Sequence, residues 1–524
     1  MPEPKSTKSS SNGLSSSSFS TDVYAVYGVE PEVQAYAMAK YSRSALSMKE
    51  SLREINRQKA EKFLNTFYFQ YGHRSIADLA HIALAIERLS ILAAIAVADE
   101  QRWDGQERST RYQDFKKSGY YTPDFGDDEP ARTLYRQTID DLFAEYEKQS
   151  EVMFRYLAEI TPRPADMKQE AYERTVRARA FDITRYLLPL ATNTSLGEIV
   201  NARTLESQVA HLLSHTHKEV RYLGELLKRA ATEPAYNLNN ELLKSLVEEI
   251  RAANSQLGER AAKELLKDVR VAPTLVKYAD ASAYEIETRR ELRQAASELM
   301  KDAAITRSEL VDLLDDDPLE LELATTLLYE HCHYSYRQIR NQLDGLGTKM
   351  QREIMDLGLR HRGKHDEMLR AFCAGQKFQF DILMDIGGFR DMHRHRRCVQ
   401  IGQGFTTAHG YDVPEEYAAG ARASYESAMK RAVAAVQQLA NRNGSEAAEN
   451  AQYVIPLAFR KRTLFKMDFA EVVYISELRT TPAGHTSYRN VAYAMYEAVA
   501  RNYPSLARYF RVHDVREPVD LLKR

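Results

Sequence analysis

Residues Arg390–Arg397 read Arg-Asp-Met-His-Arg-His-Arg-Arg, four arginines and two histidines within eight positions, directly after the apolar run Phe380–Phe389. Several guanidiniums together chelate phosphate or pyrophosphate through paired N–H donors, so this density points to an anion site. A surface helix serving only solubility would mix in acids, and here Asp391 stands alone. A solvated basic face or a nucleic-acid patch is the plainer alternative. A second candidate is Gln106–Tyr112, Gln-Glu-Arg-Ser-Thr-Arg-Tyr. Glu107, Ser109, Arg111 and Tyr112 at this spacing suit a short loop that offers a hydroxyl, a cation and a phenol to one ligand. An ordinary hydrogen-bonded turn would look the same. Some thirty residues upstream, Tyr71–Ser75 (Tyr-Gly-His-Arg-Ser) is expected to precede a helix. His331-Cys332-His333 has metal-ligand chemistry, but no second ligand pair stands at ordinary spacing, so no metal is expected.

The chain of 524 residues is 44% hydrophobic, enough for sizeable cores, and its formal net charge is −2. With no overall positive charge, nucleic-acid binding is not expected, and the basic run must be a local device. Three cysteines, Cys332, Cys373 and Cys398, are too few and too scattered for a disulfide framework and suit a reducing compartment. The serine-rich tract Ser9–Ser18 lies in an expected disordered tail over residues 1–22 and lacks the apolar stretch of a secretory signal. The longest apolar run, Leu89–Ala98, is far short of a membrane span and reads as a buried helix. A cytoplasmic protein without membrane association is expected.

Helical periodicity dominates, over Gln34–Gln70, Leu134–Glu159, Glu206–Ala231, Ala281–Asp302, Leu319–Gln342 and Ala418–Asn441. Strand signals are short, at Arg185–Leu190, Phe378–Leu383 and Gln452–Ala458. The expected class is α+β, predominantly helical. There is also an internal repeat. Tyr186–Ala191 (Tyr-Leu-Leu-Pro-Leu-Ala) matches Tyr453–Ala458 (Tyr-Val-Ile-Pro-Leu-Ala), and fifteen residues after each tyrosine a polar residue, Asn201 or Asp468, opens a helix. Tyr120–Pro123 parallels Tyr411–Pro414 in the same order. Two tandem domains, 23–268 and 269–524, meeting near Val269–Thr274, are the economical account.

Together these landmarks resemble the flavin-dependent thymidylate synthases. That family shows a GHxS-like element, an apolar helix, an RHR triplet, a serine within SxRY, a strand ending in LP, an NAR-type helix start, and a Leu-Arg followed by a histidine. The first half carries His73 and Ser75, then Glu107, Ser109, Arg111 and Tyr112, then Pro189, and then Asn201, Ala202 and Arg203. Where its triplet should stand, it reads Asp99-Glu100-Gln101. The second half has the triplet, Arg394-His395-Arg396, with Arg460 or Arg462 after the LP strand, Leu478-Arg479 and His485. It lacks the SxRY loop, with Gly404 at the serine position, and it reads Asp468-Phe469-Ala470 at the NAR position. The losses are complementary, as expected when a duplicated chain keeps only residues that serve a shared site.

The resemblance implies two tandem thymidylate-synthase-like domains forming a pseudo-dimer, a homo-oligomer built as a dimer of pseudo-dimers, and reductive methylation of dUMP to dTMP. FAD would be the cofactor, with NAD(P)H and methylenetetrahydrofolate as co-substrates. Ser109, Arg111 and Arg479 are the implied catalytic residues. Glu107, Tyr112 and Arg460 join them in holding substrate, with Ser109 as a hydroxyl hydrogen-bonding dUMP and not as a nucleophile. His73, Ser75, Asn201, Arg203, Arg394, His395, Arg396 and His485 are the implied FAD contacts. A family member that binds flavin or nucleotide without turnover, and a helical nucleic-acid binder, are the alternatives. No proton acceptor is identifiable beside any cysteine, so cysteine-nucleophile chemistry is unsupported.

Overall fold

The computed structural model describes residues 26, 28–40, 48–54, 74–363, 366 and 368–522. Two antiparallel sheets organise the chain. In the first half, β1 (His81–Ser90), β2 (Trp103–Glu107) and β3 (Asn193–Asn201) pair in the order β1-β3-β2. In the second, β4 (Val311–Leu313), β5 (Phe378–Asp385), β6 (Val399–Gly402) and β7 (Arg460–Met467) pair in the order β4-β5-β7-β6. Without the short edge strand β4, the second sheet repeats the first, strand for strand. Ser90 lies opposite Asn193 in one register, and Asp385 lies opposite Arg460 in the other.

The repeat seen in the sequence is the seam between the halves. Leu190 N–H donates to the Ile455 carbonyl and Leu457 N–H to the Leu188 carbonyl, each at 2.9 Å. Ala191 donates to Tyr453, and Ala458 reciprocally to Tyr186. Pro189 and Pro456 face each other as an isolated bridge. The two copies of one motif thus pair with each other across a local pseudo-twofold. They are not sheet strands, contrary to expectation: Arg185–Leu187 is a turn of 3-10 helix and Ala447–Gln452 a helix. A proline in each segment has no N–H to give to a ladder, which limits pairing to a few bonds.

Local chemistry starts the helices at equivalent places. Ile91–Ala98 is capped by the buried Ser90 hydroxyl, which accepts from Ala93 N–H at 3.0 Å. Ile386–Met392 is capped by Asp385. Asn201 and Asp468 both cap, accepting from Thr204 and Glu471 backbone N–H groups at 2.8 and 2.9 Å, as short polar side chains do at helix starts. Expected long helices break where the chain turns. Glu206–Ala231 becomes Ala202–Leu213 and Lys218–Thr232, and Leu319–Gln342 divides between Tyr329 and Tyr336. The segment after Ser75 is 3-10 helix (Arg74–Leu79) leading into β1, not an α-helix. Of Gln34–Gln70, Pro31–Lys40 and Met48–Glu54 are helical, and the remainder lies outside the described residues. No helix among the described residues is long and apolar enough to cross a membrane.

The cores ignore a cut at residue 268. Ala272, Leu275, Val276 and Ala279, with Tyr425, Met429 and the Tyr453–Phe459 segment, join the first-half core. Separate clusters lie between the second sheet and helix Thr486–Asn502, and around helices Ala283–Leu299, Leu319–Tyr329 and Tyr336–Leu359.

Candidate functional site

The SxRY loop of the first half leaves β2 and ends against the second half. Arg111 is buried there. Its Nε and Nη2 donate to the two oxygens of Asp182 at 3.0 and 3.3 Å, its Nη1 to Tyr488 Oη at 2.9 Å, and its Nη2 to the Ala483 carbonyl at 3.0 Å. Four of the five guanidinium N–H groups are therefore engaged. Ser109 Oγ accepts from Arg111 N–H at 3.2 Å and shapes the loop, while Tyr112 stays half exposed with its ring 5.4 Å from the guanidinium.

Asp182 is the electrostatic hub. His485 Nδ1 lies 3.2 Å from it and Arg185 Nε 3.5 Å. Burial pushes its carboxyl up, but His485, Arg185 and Arg111 outweigh burial and hold it well below the ordinary carboxylate range. Arg185 also reaches Asp391 at 3.6 Å, and Asp391 is held down by Arg185, Arg111, Arg479 and Arg394 against its own burial. His485 Nε2 bonds Tyr186 Oη at 2.9 Å.

Arg479, at the end of helix Phe469–Arg479, approaches the same tyrosine. Its guanidinium is 5.5 Å from the Tyr488 ring, as is that of Arg111. Its Nε donates to His395 Nε2 at 2.8 Å. That bond places the His395 proton on Nδ1, 3.5 Å from Glu471 Oε1. Burial lowers the His395 pKa, so the ring is neutral near physiological pH. Only one of Arg479's five donors is engaged among the described residues, in contrast to Arg111.

The basic run clamps the halves together. Arg390 bonds Glu107 and, at 3.3 Å, Thr110 Oγ1. Arg396 stacks over Trp103 at 4.3 Å and lies 3.8 Å from Asp104. Arg397 pairs with Asp468 at 3.0 Å, while Arg394 is exposed. Arg185 Nε and Nη2 and Arg390 Nε are buried without hydrogen-bond partners among the described residues. This focus therefore holds surplus donors, the arrangement that suits anionic oxygens.

Other sequence candidates lie elsewhere. Arg460 pairs with Asp412, and Arg462 is buried against Asp381 at 2.8 Å and Ser308 at 2.6 Å. Asn201 caps its helix, Arg203 pairs with Asp78 at 3.2 Å, and Ser75 is exposed. His73 lies outside the described residues. Among the described residues, no group of three or more His, Cys, Asp or Glu side chains is arranged to hold a metal ion.

Asp182, Arg185, Tyr186, Asp391, Glu471 and Tyr488 were missed in the sequence. Tyr186 opens the repeated motif, and the repeat offered the only signal. Its ring meets His485 edge-on at 5.4 Å, and in the other half Tyr453 meets His217 edge-on at 5.6 Å. There are thus two equivalent foci, and the SxRY and Leu-Arg arginines meet at the first. At the triplet position of the first half, Asp99 pairs with Arg370 at 3.0 Å and Gln101 donates to the Cys398 carbonyl.

The family described as thymidylate synthase complementing protein matches residues 26–235 and 309–505, well over half of the chain, as two successive segments. The chain belongs to this family. Two family segments in one chain fit a tandem duplication, and the matching sheet orders fit it too. UPF0159 proteins of Chlamydia pneumoniae and Chlamydia muridarum are each 28% identical, over 96% and 94% of this chain and 93% and 92% of their own lengths. The flavin-dependent thymidylate synthase of Clostridium tetani is 24% identical over 40% of this chain and 82% of its own. Among solved structures, a thymidylate synthase X of Helicobacter pylori with FAD and dUMP is 17% identical, with a TM-score of 0.26 over 38% of this chain and 89% of that one.

Proposed function

We propose that the chain is an FAD-dependent thymidylate synthase that converts dUMP to dTMP, with methylenetetrahydrofolate as carbon donor and NAD(P)H as reductant. One observation carries this reading. The SxRY arginine kept by the first half and the Leu-Arg arginine kept by the second converge on one ring, Tyr488, at 5.5 Å each. Complementary loss of motifs has left one composite site, with residues 23–268 and 269–524 as its two contributing units.

In this reading Asp182 fixes Arg111 as a positioned cation with one N–H to give, and Arg479, with most of its donors open, grips the substrate phosphate or a uracil carbonyl oxygen. Stabilising the charge that develops on that oxygen favours attack by C5 on the one-carbon unit. Ser109 and Glu107 orient the loop and the substrate, and Tyr112 closes its outer side; Arg460, held by Asp412, would reach substrate only by leaving that pair. The unpartnered donors of Arg185 and Arg390 fit an anionic cofactor, and Arg394, His395, Arg396 and His485 would hold FAD. Asn201, Arg203, Ser75 and His73 are the first-half residues that would serve it, in a dimer of pseudo-dimers in the cytoplasm. Bound FAD supplies the hydride; the protein supplies binding, orientation and electrostatics. Internal partners of Arg390, Arg396 and Arg397 disfavour a nucleic-acid patch.

A second reading, a flavin or nucleotide binder without turnover, is favoured by Asp99-Glu100-Gln101 being bonded into the protein where a triplet would stand. Tritium release from dUMP labelled at C5, with FAD, NADPH and methylenetetrahydrofolate supplied, decides between them. Release above the no-enzyme control supports the synthase; a yellow protein that binds dUMP and releases none supports the binder.

A further inference from the structure

Helix Ala283–Leu299 lies between the two family-matched segments, outside both. Ile286, Arg289, Arg290 and Arg293 recur at three- and four-residue steps on one helical face. That face and the loop before helix Lys218–Thr232 enclose a cavity of about 290 Å³, lined also by His215 and Arg221 and by no carboxylate. The loop leads directly into His217, at the focus that lacks catalytic arginines.

The lining is rich in donors and poor in acceptors. His215 Nδ1 accepts from the His217 backbone N–H at 3.2 Å, which places the imidazole proton on Nε2 and makes that nitrogen a donor. Burial, with His217, Arg289 and Arg221 nearby, lowers the His215 pKa and keeps the ring neutral. Arg221 is locked in place by the His215 and Thr216 carbonyls at 3.0 and 2.6 Å and by Glu446 at 2.9 Å. Arg289 is steadied by Glu285 at 3.0 Å, and Arg290 by Glu287 at 3.0 Å. Arg293 has no hydrogen-bond or ion-pair partner among the described residues. The acids thus stand behind the arginines and hold their side chains, leaving guanidinium edges and an imidazole N–H around the cavity. Such a surface is complementary to a compact ligand with several anionic oxygens.

We propose that this cavity is a second, non-catalytic binding site for a phosphate-class anion, either free or carried by a nucleotide. Arg289 and Arg293 grip the oxygens, and His215 donates from the floor. The site arises from an inserted helix and is independent of the composite site around Tyr488.

The test is calorimetric titration of the full chain with pyrophosphate and, in a second arm, with ADP, at physiological salt. Saturable binding should weaken by about tenfold or more in Arg289→Ala/Arg293→Ala, the loss of one or more charged hydrogen bonds, and by less in Arg293→Lys. Arg479→Ala should leave it unchanged. Circular dichroism and thermal melting check that the variants are folded, which these surface positions permit. Binding of ADP alone, lost in the double variant, assigns the site to a nucleotide's phosphates and supports the proposal. Binding of neither probe, or binding lost in Arg479→Ala but kept in the double variant, overturns it.

Discussion

Replacing Asp182 by Asn keeps the side-chain shape and removes the charge on which Arg111, Arg185 and His485 converge. The carboxylate takes two charged hydrogen bonds from Arg111 and lies 3.5 Å from Arg185 and 3.2 Å from His485. Arg111 is 7% exposed and Arg185 2%, so water cannot take the lost partner's place. Breaking a buried ion pair by removing one charge costs about 3–5 kcal/mol. Arg111 keeps Tyr488 and the Ala483 carbonyl, and Arg185 keeps Asp391, which sets the expectation at the lower end, about 3 kcal/mol. The pH dependence has a definite sign. The folded carboxyl titrates well below its ordinary 3.8. Its stabilisation is therefore complete above that value and is lost as pH falls below it, through the folded pKa. Urea unfolding of wild type and Asp182→Asn should differ by a constant amount at neutral pH, and the difference should shrink below about pH 4. Far-ultraviolet circular dichroism and tyrosine fluorescence together check whether the transition is a single one. A difference no larger than the ~1 kcal/mol of an exposed pair, unchanged in acid, refutes the hub assignment.

Arg394→Ala should leave folding intact, since the side chain is exposed, and weaken FAD retention by about 1.5–3 kcal/mol if its guanidinium holds the cofactor; full flavin occupancy in the purified variant removes Arg394 from the site. Arg479→Ala should raise the dissociation constant for dUMP by about tenfold or more and lower turnover, with Ser109→Ala acting in the same direction; dUMP binding as tight as wild type in the arginine variant refutes its assignment. Fragments Met1–Asp268 and Val269–Arg524 should each be inactive alone and prone to associate, because the seam between Tyr186–Ala191 and Tyr453–Ala458 and the first-half core both need residues from each. Co-expression should recover flavin absorbance and tritium release, and wild-type activity from either fragment alone would establish two independent sites in place of one shared one.

Several features were legible because they are local. Asn201 and Asp468 announce helix starts through a side chain that reaches three residues ahead. The apolar run Leu89–Ala98 could only be buried, and most of it is the helix Ile91–Ala98. The repeated motif disclosed the duplication, since homologous segments keep their spacing when the surrounding loops drift. What the sequence could not supply were partners distant in the chain. Nothing in Tyr-Leu-Leu-Pro-Leu-Ala says that it pairs with its own second copy. Arg460 and Arg462 stand two apart on β7 and were equivalent candidates, until the fold placed Arg462 against Asp381 and left Arg460 with Asp412 at partial exposure. The basic run looked like a free anion site, yet three of its four arginines answer Glu107, Asp104 or Asp468. Asp182 carried no signal at all, because only Arg185 is its chain neighbour, and a carboxylate becomes a hub only when Arg111 and His485 are folded onto it from remote segments. Residue type and spacing therefore determined the family, the duplication and the list of cations; tertiary packing decided which cations are already neutralised and which, like Arg479, still have donors to offer.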